Sequence, residues 1–255
     1  MLSSPPELPS RRSPAAVPAG SEGSRDRVMA AARREFSAHG FAGASVDRIA
    51  ASARLNKAMI YYHFRSKAAL YREILRDMFG AAGARIRDVA ASSLSPEDKV
   101  REFIGAIATE AEARPHFPPI WFREIADGGK HLDDETLVEI TGIVRALAGF
   151  IAEGVQRGVF KPSDPLLVHA GIVAPLLLFF ASAPLRARMA EVGLSATLFH
   201  DRNAVVSHIE NVTLGILEGR MGSRGKKAEV TKVRLKPDAT KHKGRRVTTR
   251  RTGKR

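Results

Sequence analysis

The chain has 255 residues, of which 44% are hydrophobic, and it carries a formal net charge of +14. This length allows one large or two small domains, each with a real hydrophobic core. Cysteine is absent, which excludes a disulfide scaffold, a thiolate nucleophile and a cysteine-based zinc site.

The positive charge is confined to two parts of the chain. Residues 1–23 have two basic and two acidic residues, and residues 24–72 have ten basic and three acidic residues, a net charge of +7. Residues 73–219 have fourteen basic and twenty acidic residues, net −6, and residues 220–255 have fifteen and two, net +13. A basic segment in front of an acidic middle part indicates that the middle part does not meet a polyanion and that the basic segment does.

Both ends of the chain have the composition of unfolded segments. Residues 1–23 are rich in Pro, Ser, Gly and Ala and predict a disordered arm, and residues 220–255 predict a disordered basic tail. The N-terminus lacks the apolar run of a secretory signal. The most apolar stretch, residues 172–185, is shorter than the roughly 20 residues of a membrane span. We therefore expect a cytoplasmic protein that does not enter a membrane.

The folded part shows helical periodicity and no strand pattern, which predicts an all-α fold of about nine helices. Each helix buries one apolar face against the rest of the protein. The apolar stripes are Val28, Ala32, Phe36; Leu70, Ile74, Met78; Val100, Phe103, Ile104, Ile107; and Leu137, Ile140, Val144, Leu147, Ile151. The predicted breaks are Gly40, Ser95-Pro96, Gly128-Gly129 and Asp164-Pro165, with a last helix from Asn203 to Glu218.

Residues 24–72 predict two short helices joined by a tight turn after a longer first helix. The first helix runs from about Ser24 to His39 and is closed by Gly40. Ser45 is a suitable N-cap for the second helix, and Asn56, soon after that helix ends, for the third. Such a pair of helices presents the N-terminal residues of its second member to a DNA major groove.

Lys57 and Lys67 each follow a predicted N-cap, Asn56 and Ser66. A lysine there is slightly unfavourable for folding because a helix N-terminus is partly positive. Phosphate binding explains both placements, since lysine and free backbone N–H groups together form an anion site. The alternative is an ordinary solvated surface lysine.

The same stretch carries a family pattern over about 47 residues in order and spacing. The matching pieces are Phe36-Ser37-Ala38-His39-Gly40-Phe41, Ala44-Ser45-Val46, Ile49-Ala50, and Tyr61-Tyr62-His63-Phe64-Arg65-Ser66-Lys67-Ala68-Ala69-Leu70. This stretch resembles the DNA-binding domain of TetR-type transcriptional regulators.

The resemblance implies a homodimer that binds double-stranded DNA and responds to a small ligand. It implies phosphate contacts at Ser45 and Lys67, and contacts to bases or nearby phosphates at Lys57 and Met59. The expected DNA-binding residues are Ser45, Arg54, Asn56, Lys57, Met59, Tyr61, Tyr62, His63 and Lys67.

Two positions depart from the family pattern. Arg54 stands in the turn where glycine is usual, and a positive φ there would cost arginine up to about 1–2 kcal/mol. Ala58-Met59 stands where glycine and a small hydroxyl residue are frequent. Met59 offers a base no hydrogen bond, only apolar contact with a thymine methyl group. The DNA sequence that is bound therefore cannot be transferred from relatives.

Residues 73–219 are expected to form a helical ligand-binding and dimerisation domain. Two helices that are apolar on nearly all sides, after Asp164 and after Asn203, need burial against a partner subunit. Gly80 and Gly83 make the fourth helix either pliable or able to pack closely. The expected ligand-pocket residues, which ordinary core packing would also explain, are Phe103, Ile107, Phe117, Trp121, Phe122, Ile125, Leu147, Phe150 and Phe179. Polar contacts are expected from His116, His131 and His169.

The sequence thus predicts a regulator, in the first instance a repressor released from a palindromic operator by a small apolar ligand. No cofactor, metal or enzyme motif is found: the acidic run Asp133-Asp134-Glu135 is most simply the first turn of a helix. The alternatives are an architectural protein that coats DNA through its basic tail and a regulator controlled by a protein partner. The tail itself could bind DNA, RNA or an acidic partner, or have no role.

Overall fold

Helices follow one another along the chain in the computed structural model, which describes residues 21–193 and 200–220. Within these ranges there are ten helices and no strands, as the all-α prediction requires. They are α1 (Ser21–Gly43), α2 (Val46–Ala53), α3 (Lys57–Phe64), α4 (Lys67–Ala91), α5 (Pro96–Ala113), α6 (Phe117–Ala126), α7 (Asp134–Gln156), α8 (Pro165–Ala181), α9 (Ala183–Glu191) and α10 (Arg202–Leu217).

Side-chain caps start the helices where the sequence predicts them. The side chain of Asn56 accepts a hydrogen bond from the N–H of Met59 at 2.9 Å, which satisfies one of the orphan donors at the start of α3. Ser66 caps α4 in the same way, and Ser95 caps α5 ahead of a proline at its first position. The helix starts are thus determined by local hydrogen bonding.

Three boundaries differ from the prediction. First, α1 begins at Ser21 rather than Ser24, because extending a formed helix by single residues costs little. Second, Gly40 does leave the helical conformation, with φ 67° and ψ 178°, but the chain resumes helical geometry to Gly43. Third, α9 is one helix more than predicted: it begins after Ser182 with Pro184 in its first turn, where proline is tolerated.

The helices form a small N-terminal unit and a larger one behind it. We call α1, α2 and α3 the head, and α4 to α10 the body. In the body, α5 lies at the centre and packs against α4, α7, α8 and α10, while α4 runs along α7. Head and body share one continuous set of buried apolar residues, so displacement of one is felt by the other.

Gly83 lies where α4 packs against α7. A Cβ atom at this position would clash with a carboxylate oxygen of Glu139 on α7, whereas one at Gly80 would meet open space. Because that oxygen is the end of a flexible side chain, which can move aside, both explanations that the sequence left open for these glycines stand.

The predicted N-terminal arm up to residue 20 and the basic tail from residue 221 lie outside the described residues. Among the residues that are described, no single helix has the length and apolar content to cross a membrane. The helices α8 and α9 meet that test only when taken together, and they are bent by 49° relative to each other.

Candidate nucleic-acid interface and ligand cavity

The turn between α2 and α3 depends on a left-handed arginine. Arg54 has φ 54° and ψ 47°, the positive φ that its place in the usual glycine position suggested. Its N–H donates to the carbonyl of Ala51 at 3.1 Å, and the N–H of Leu55 donates to Ala50 at 3.0 Å. These bonds close α2 and let α3 start two residues later.

Inward-facing residues hold the two helices of the turn against α1. Ile49 of α2 and Ile60 of α3 are fully buried, and they belong with Phe36 of α1 to one cluster of buried apolar residues. Phe41 stacks on Phe36 with ring centroids 6.2 Å apart. All three helices of the head therefore contribute apolar residues to its core.

The opposite side of α3 faces solvent. Lys57, Ala58 and Tyr61 are exposed, and Tyr62 is 64% exposed. Met59 is only partly exposed. Four residues of this helix, including the predicted DNA-contacting Lys57, Tyr61 and Tyr62, are thus accessible to a partner.

His63 is arranged differently from its neighbours on α3. Its Nε2 lies 2.6 Å from the hydroxyl oxygen of Ser24, which is buried on α1. This bond ties the end of α3 to the start of α1. The structure therefore gives His63 a role in positioning α3, and its contact with DNA stays a prediction.

The first turn of α2 is organised around Glu35. The carboxylate of Glu35 accepts hydrogen bonds from the backbone N–H of Ser45 at 2.9 Å and from the Arg48 guanidinium at 2.7 Å. Burial raises the pKa of Glu35, but the bonds from Arg48 and Ser45 outweigh burial and hold it below its ordinary value. Ser45 meanwhile caps α2 by accepting from Asp47 and Arg48.

Both lysines that the sequence singled out contact the protein. Lys57 Nζ lies 3.0 Å from a carboxylate oxygen of Asp47, which raises the pKa of the lysine. Lys67 Nζ lies 4.7 Å from the ring centroid of Phe41, a cation–π contact. Both remain near the exposed surface of the head, so a phosphate would have to compete with these partners.

A small apolar cavity lies in the middle of the body. Its volume is about 40 Å³, close to the space that one water molecule needs. Three of the predicted pocket residues, Ile107, Phe117 and Trp121, line it. The other residues that line it are Phe79, Ala82, Ile140, Ile143, His169 and Val173.

The other predicted pocket residues lie elsewhere. Ile125 is 54% exposed on the outer side of α6, because the turn of the helix points it away from the body. Phe179 packs against Phe180 and under the Arg186 guanidinium. Phe103, Leu147 and Phe150 are core residues, and Phe122 is partly buried at its edge.

One polar group lining the cavity is His169, as the sequence suggested for a histidine. Burial lowers its pKa, so its ring is neutral and can donate or accept one hydrogen bond. His116 lies elsewhere, beside Arg33 and Arg114, and burial followed by these charges lowers its pKa to about 4. Within residues 21–193 and 200–220, no group of three His, Asp or Glu side chains could hold a metal ion.

Helix α6 joins the cavity to the head through two residues that sequence reasoning missed. The Arg123 guanidinium donates to the carbonyls of Phe36, Ser37 and Ala38, which end the first part of α1. These are among the carbonyls that have no partner within a helix that stops at Gly40. Trp121 lies two residues earlier on the same helix, in the cavity wall.

Glu124 makes the second connection. Its side chain is 1% exposed and accepts hydrogen bonds from the Tyr71 hydroxyl at 3.1 Å and the backbone N–H of His131 at 2.8 Å. His131 Nδ1 lies 3.0 Å from the same carboxylate, and its ring packs 4.1 Å from that of Phe41. The charged pair Arg123-Glu124 in an otherwise apolar helix was the available sequence signal.

The face formed by α8 and α10 exposes apolar side chains. Leu166, Leu178 and Ile216 are exposed, and Leu167 is 72% exposed. An apolar groove of about 310 Å³ runs between the two helices and is lined by Leu167, Val168, Val212 and Ile216 among others. These are the two helices that the sequence predicted to need a partner.

Comparison with known proteins places the head in a described family. Residues 28–74 match the model of the bacterial regulatory proteins of the tetR family. The repressor NicS of Pseudomonas putida is 32% identical over 162 residues, which cover 61% of this chain and 74% of NicS. The regulator RutR of Escherichia coli K12 is 27% identical over 192 residues, covering 75% and 88% of the two chains.

Solved structures agree with the whole helical fold. A tetR-family protein from Rhodococcus RHA1 superposes with a TM-score of 0.63 at 18% identity, covering 76% of this chain and 96% of that one. FadR from Bacillus subtilis, solved in complex with stearoyl-CoA, superposes with a TM-score of 0.60 at 16% identity and covers 75% and 98%.

Proposed function

The chain belongs to the tetR family of bacterial regulatory proteins, and we propose that it is a homodimeric repressor that leaves a palindromic operator when a small apolar ligand binds. The relatives described above are named transcriptional repressors or regulators. The observation that carries the proposal is the exposed side of α3 on a basic head, set in front of an acidic body. In the proposed division, residues 24–72 bind DNA and residues 73–219 bind ligand and partner.

Charge and geometry together support DNA as the target of the head. The net charge of +7 over residues 24–72 attracts a polyanion, whereas the net charge of −6 over residues 73–219 repels one. The exposed hydroxyl groups of Tyr61 and Tyr62 suit phosphate oxygens, and Lys57 reaches the same side of α3. If these phosphate contacts position α3 on DNA, Met59 and Ala58 would lie against the bases at the floor of the major groove.

Sequence preference at the centre of the contact would come from apolar contact. Ala58 and Met59 offer no side-chain hydrogen bond, so they discriminate bases through the thymine methyl group. We infer a half-site with at least one thymine under these two residues. The side-chain oxygen of Asn56 caps α3 and is therefore not available to a base. Lys57 and Arg54 are then the charged groups nearest to that thymine.

The α8–α10 face supports dimerisation. Exposed leucines at Leu166, Leu167 and Leu178 leave apolar area in water that a second copy of the same face would bury. A two-fold dimer presents two heads, and two heads match two half-sites about one helical turn of DNA apart.

The cavity and α6 support control by ligand. At about 40 Å³ the cavity is too small for a drug-sized molecule, so ligand entry must move its wall. Trp121 and Phe117 of that wall lie on α6, and α6 also holds α1 through Arg123. A ligand that fits only the enlarged cavity would therefore favour a different placement of the head and release DNA.

The first experiment is selection of bound sites from random DNA with the full-length protein. We expect a palindromic motif, which Lys57→Ala and Tyr61→Phe weaken. Arg145→Ala on α7 is the control, because it makes the same change of charge at an exposed position outside the head. Absence of a motif, with binding that disappears when residues 222–255 are deleted, would refute the proposal and favour a DNA-coating protein.

A second experiment tests ligand binding through the fluorescence of Trp121, the only tryptophan of the chain. Monocyclic aromatic compounds and short fatty acids, titrated separately, are expected to change its fluorescence and to lower operator affinity in the same concentration range. His169→Phe is expected to weaken the binding of compounds that carry one polar group and to leave the binding of purely apolar compounds unchanged. If none of these compounds changes both signals, control by a protein partner replaces control by an apolar ligand.

A further inference from the structure

A cleft lies where the head meets the body, between the start of α1, the end of α3 and the first turns of α4. Its volume is about 240 Å³, and its lining includes Arg25, Arg65, Arg72, Arg76 and Glu73. Four arginines face one glutamate, so the lining carries a formal charge of +3.

Two of the four arginines are already neutralised. Arg25 lies 2.7 Å from the carboxylate of Glu73, and its guanidinium also lies over the ring of Phe64. Arg76 lies 2.6 Å from Asp133 and 3.2 Å from Glu135 on the body. These two arginines therefore connect elements of the protein to one another.

Arg65 and Arg72 are different. In the described part of the chain, neither guanidinium has a carboxylate within 4.0 Å, although both side chains are exposed and line the same cleft. Two like charges in one cleft repel each other, and an anion bound between them would remove that repulsion. An arginine guanidinium presents a planar set of donors that matches a phosphate.

The backbone of Arg65 adds an independent observation. This residue ends α3 with φ 58° and ψ −37°, a conformation that side chains with a Cβ atom rarely adopt. Its N–H donates to the carbonyl of Tyr61 at 2.9 Å. Glycine would adopt this conformation with less strain, so the chain holds a guanidinium here at the expense of backbone conformational energy.

We propose that this arginine cleft binds a phosphate of the DNA backbone outside the bases that α3 contacts, with Arg65 and Arg72 as its ligands. The lining of the cleft starts at His63, directly after the exposed Tyr62, so a DNA strand that contacts this tyrosine would also lie next to the cleft. The proposal rests on the proposed DNA-binding function. It extends the contact beyond the residues that the sequence pattern marks.

The test measures DNA affinity against salt concentration for full-length Arg72→Ala and Arg65→Gly, on the selected operator and on a scrambled duplex. Each lost phosphate contact lowers the slope of log affinity against log salt by about one, hence by about two for a dimer. The slope should fall on both duplexes while the preference for the operator is unchanged. Arg145→Ala is again the charge-matched control.

Arg65→Gly separates binding from folding. Because glycine relieves the backbone strain, this variant should melt at the same temperature as the parent or higher, yet bind DNA more weakly. Slopes equal to that of Arg145→Ala on both duplexes would overturn the proposal. A second result would also overturn the proposal: inorganic phosphate stabilises the parent but not Arg72→Ala, while both proteins show the same salt slope. The cleft would then bind free anions and not DNA phosphate.

The two proposals fail in different ways. If the selection yields no operator, sequence-specific regulation is refuted, but the scrambled duplex still reports whether the cleft binds phosphate. If an operator is found and the two arginine variants keep the slope of the parent, regulation stands and the cleft proposal fails.

Discussion

The exposed side of α3 and the face formed by α8 and α10 are both left uncovered by the chain, but their chemistry is opposite. The first carries hydroxyl and cationic groups at Tyr61, Tyr62 and Lys57. The second carries leucines, with Leu167 more exposed than most residues of a core-forming helix would be. The first surface suits a charged partner that keeps its water, and the second a partner that excludes water.

The two surfaces also differ in which contacts their side chains make in the free protein. On the head, charges are held by weak exposed pairs such as Lys57 with Asp47, which DNA can replace at small cost. On α8 and α10 a partner does not have to displace any ion pair. Burial of the apolar side chains there lowers the free energy directly. The junction at α6 lies between the two and is built from buried polar bonds, which are costly to break.

The largest expected effect is at the apolar face. Leu167→Glu would bury an unpaired carboxylate at the centre of the proposed interface, which costs about 3 kcal/mol or more. The dimer should dissociate at least about 100-fold more readily, and operator affinity should fall with it. Sedimentation velocity measures the first and gel shift the second. Val138→Glu, at an exposed apolar position on α7, is the control; equal behaviour of the two variants would contradict the proposed interface.

The second effect tests the junction. Glu124→Ala removes the acceptor of the Tyr71 hydroxyl and of the His131 backbone N–H and leaves both buried without it, so the free energy of unfolding should fall by about 3 kcal/mol. Urea unfolding at neutral pH measures this. Glu135→Ala removes an exposed partner of Arg76 and should cost less than about 1 kcal/mol. Equal losses would show that burial of Glu124 does not matter.

The third effect is a pH dependence where α1 meets the body. His116 lies beside Arg33, Asp77 and Arg114, and its pKa is lowered from 6.5 to about 4, chiefly by burial. The unfolded chain therefore binds a proton more readily, and stability that is fully present above pH 6.5 is lost as the pH falls toward 4. Because the ring is partly exposed, we expect a loss of about 2 kcal/mol, less than the full linkage value.

His116→Gln checks this pH dependence by denaturant unfolding at several pH values. The glutamine variant should show a shallower loss of stability between pH 6.5 and 4 than the parent. His208→Gln, the same change at an exposed position on α10, should follow the parent. A parent and a His116→Gln variant that lose stability in parallel would assign the pH dependence to other groups.

The smallest expected effect sharpens the description of the head. Asp47→Asn removes the carboxylate that now holds Lys57 at 3.0 Å and leaves the lysine free for phosphate. Affinity should rise by about threefold on operator and scrambled DNA alike, since exposed pairs contribute less than about 1 kcal/mol. Fluorescence anisotropy at fixed salt measures it, with Asp88→Asn on α4 as the control. A decrease would mean that Asp47 positions Lys57 for DNA.

Several features of the head could be predicted from the sequence because they depend on neighbouring residues. The caps Asn56 and Ser66 bond to N–H groups three residues away, and the apolar spacing marks Ile49 and Ile60 as buried. The positive φ of Arg54 follows from a turn that must reverse within two residues. Caps and apolar spacing involve residues only a few positions apart, so they can be recognised in the sequence.

Other features could not be predicted because their partners are distant in the chain. His63 bonds to Ser24, 39 residues earlier, a contact that no pattern in the sequence around His63 indicates. The cavity wall includes Phe79 and His169 but not Ile125, because the direction of each side chain depends on how α4, α6 and α8 are rotated against one another.

The sequence alone thus predicts the all-α class, most helix starts and the helices that we propose to bind DNA and a partner, since periodicity and capping act within a few residues. The tertiary structure decided the rest. It brought Arg123 to the carbonyls that end the first part of α1, some 85 residues away, and Arg65 and Arg72 to one cleft. Such placements arise from the packing of whole helices, a property that no stretch of sequence contains alone.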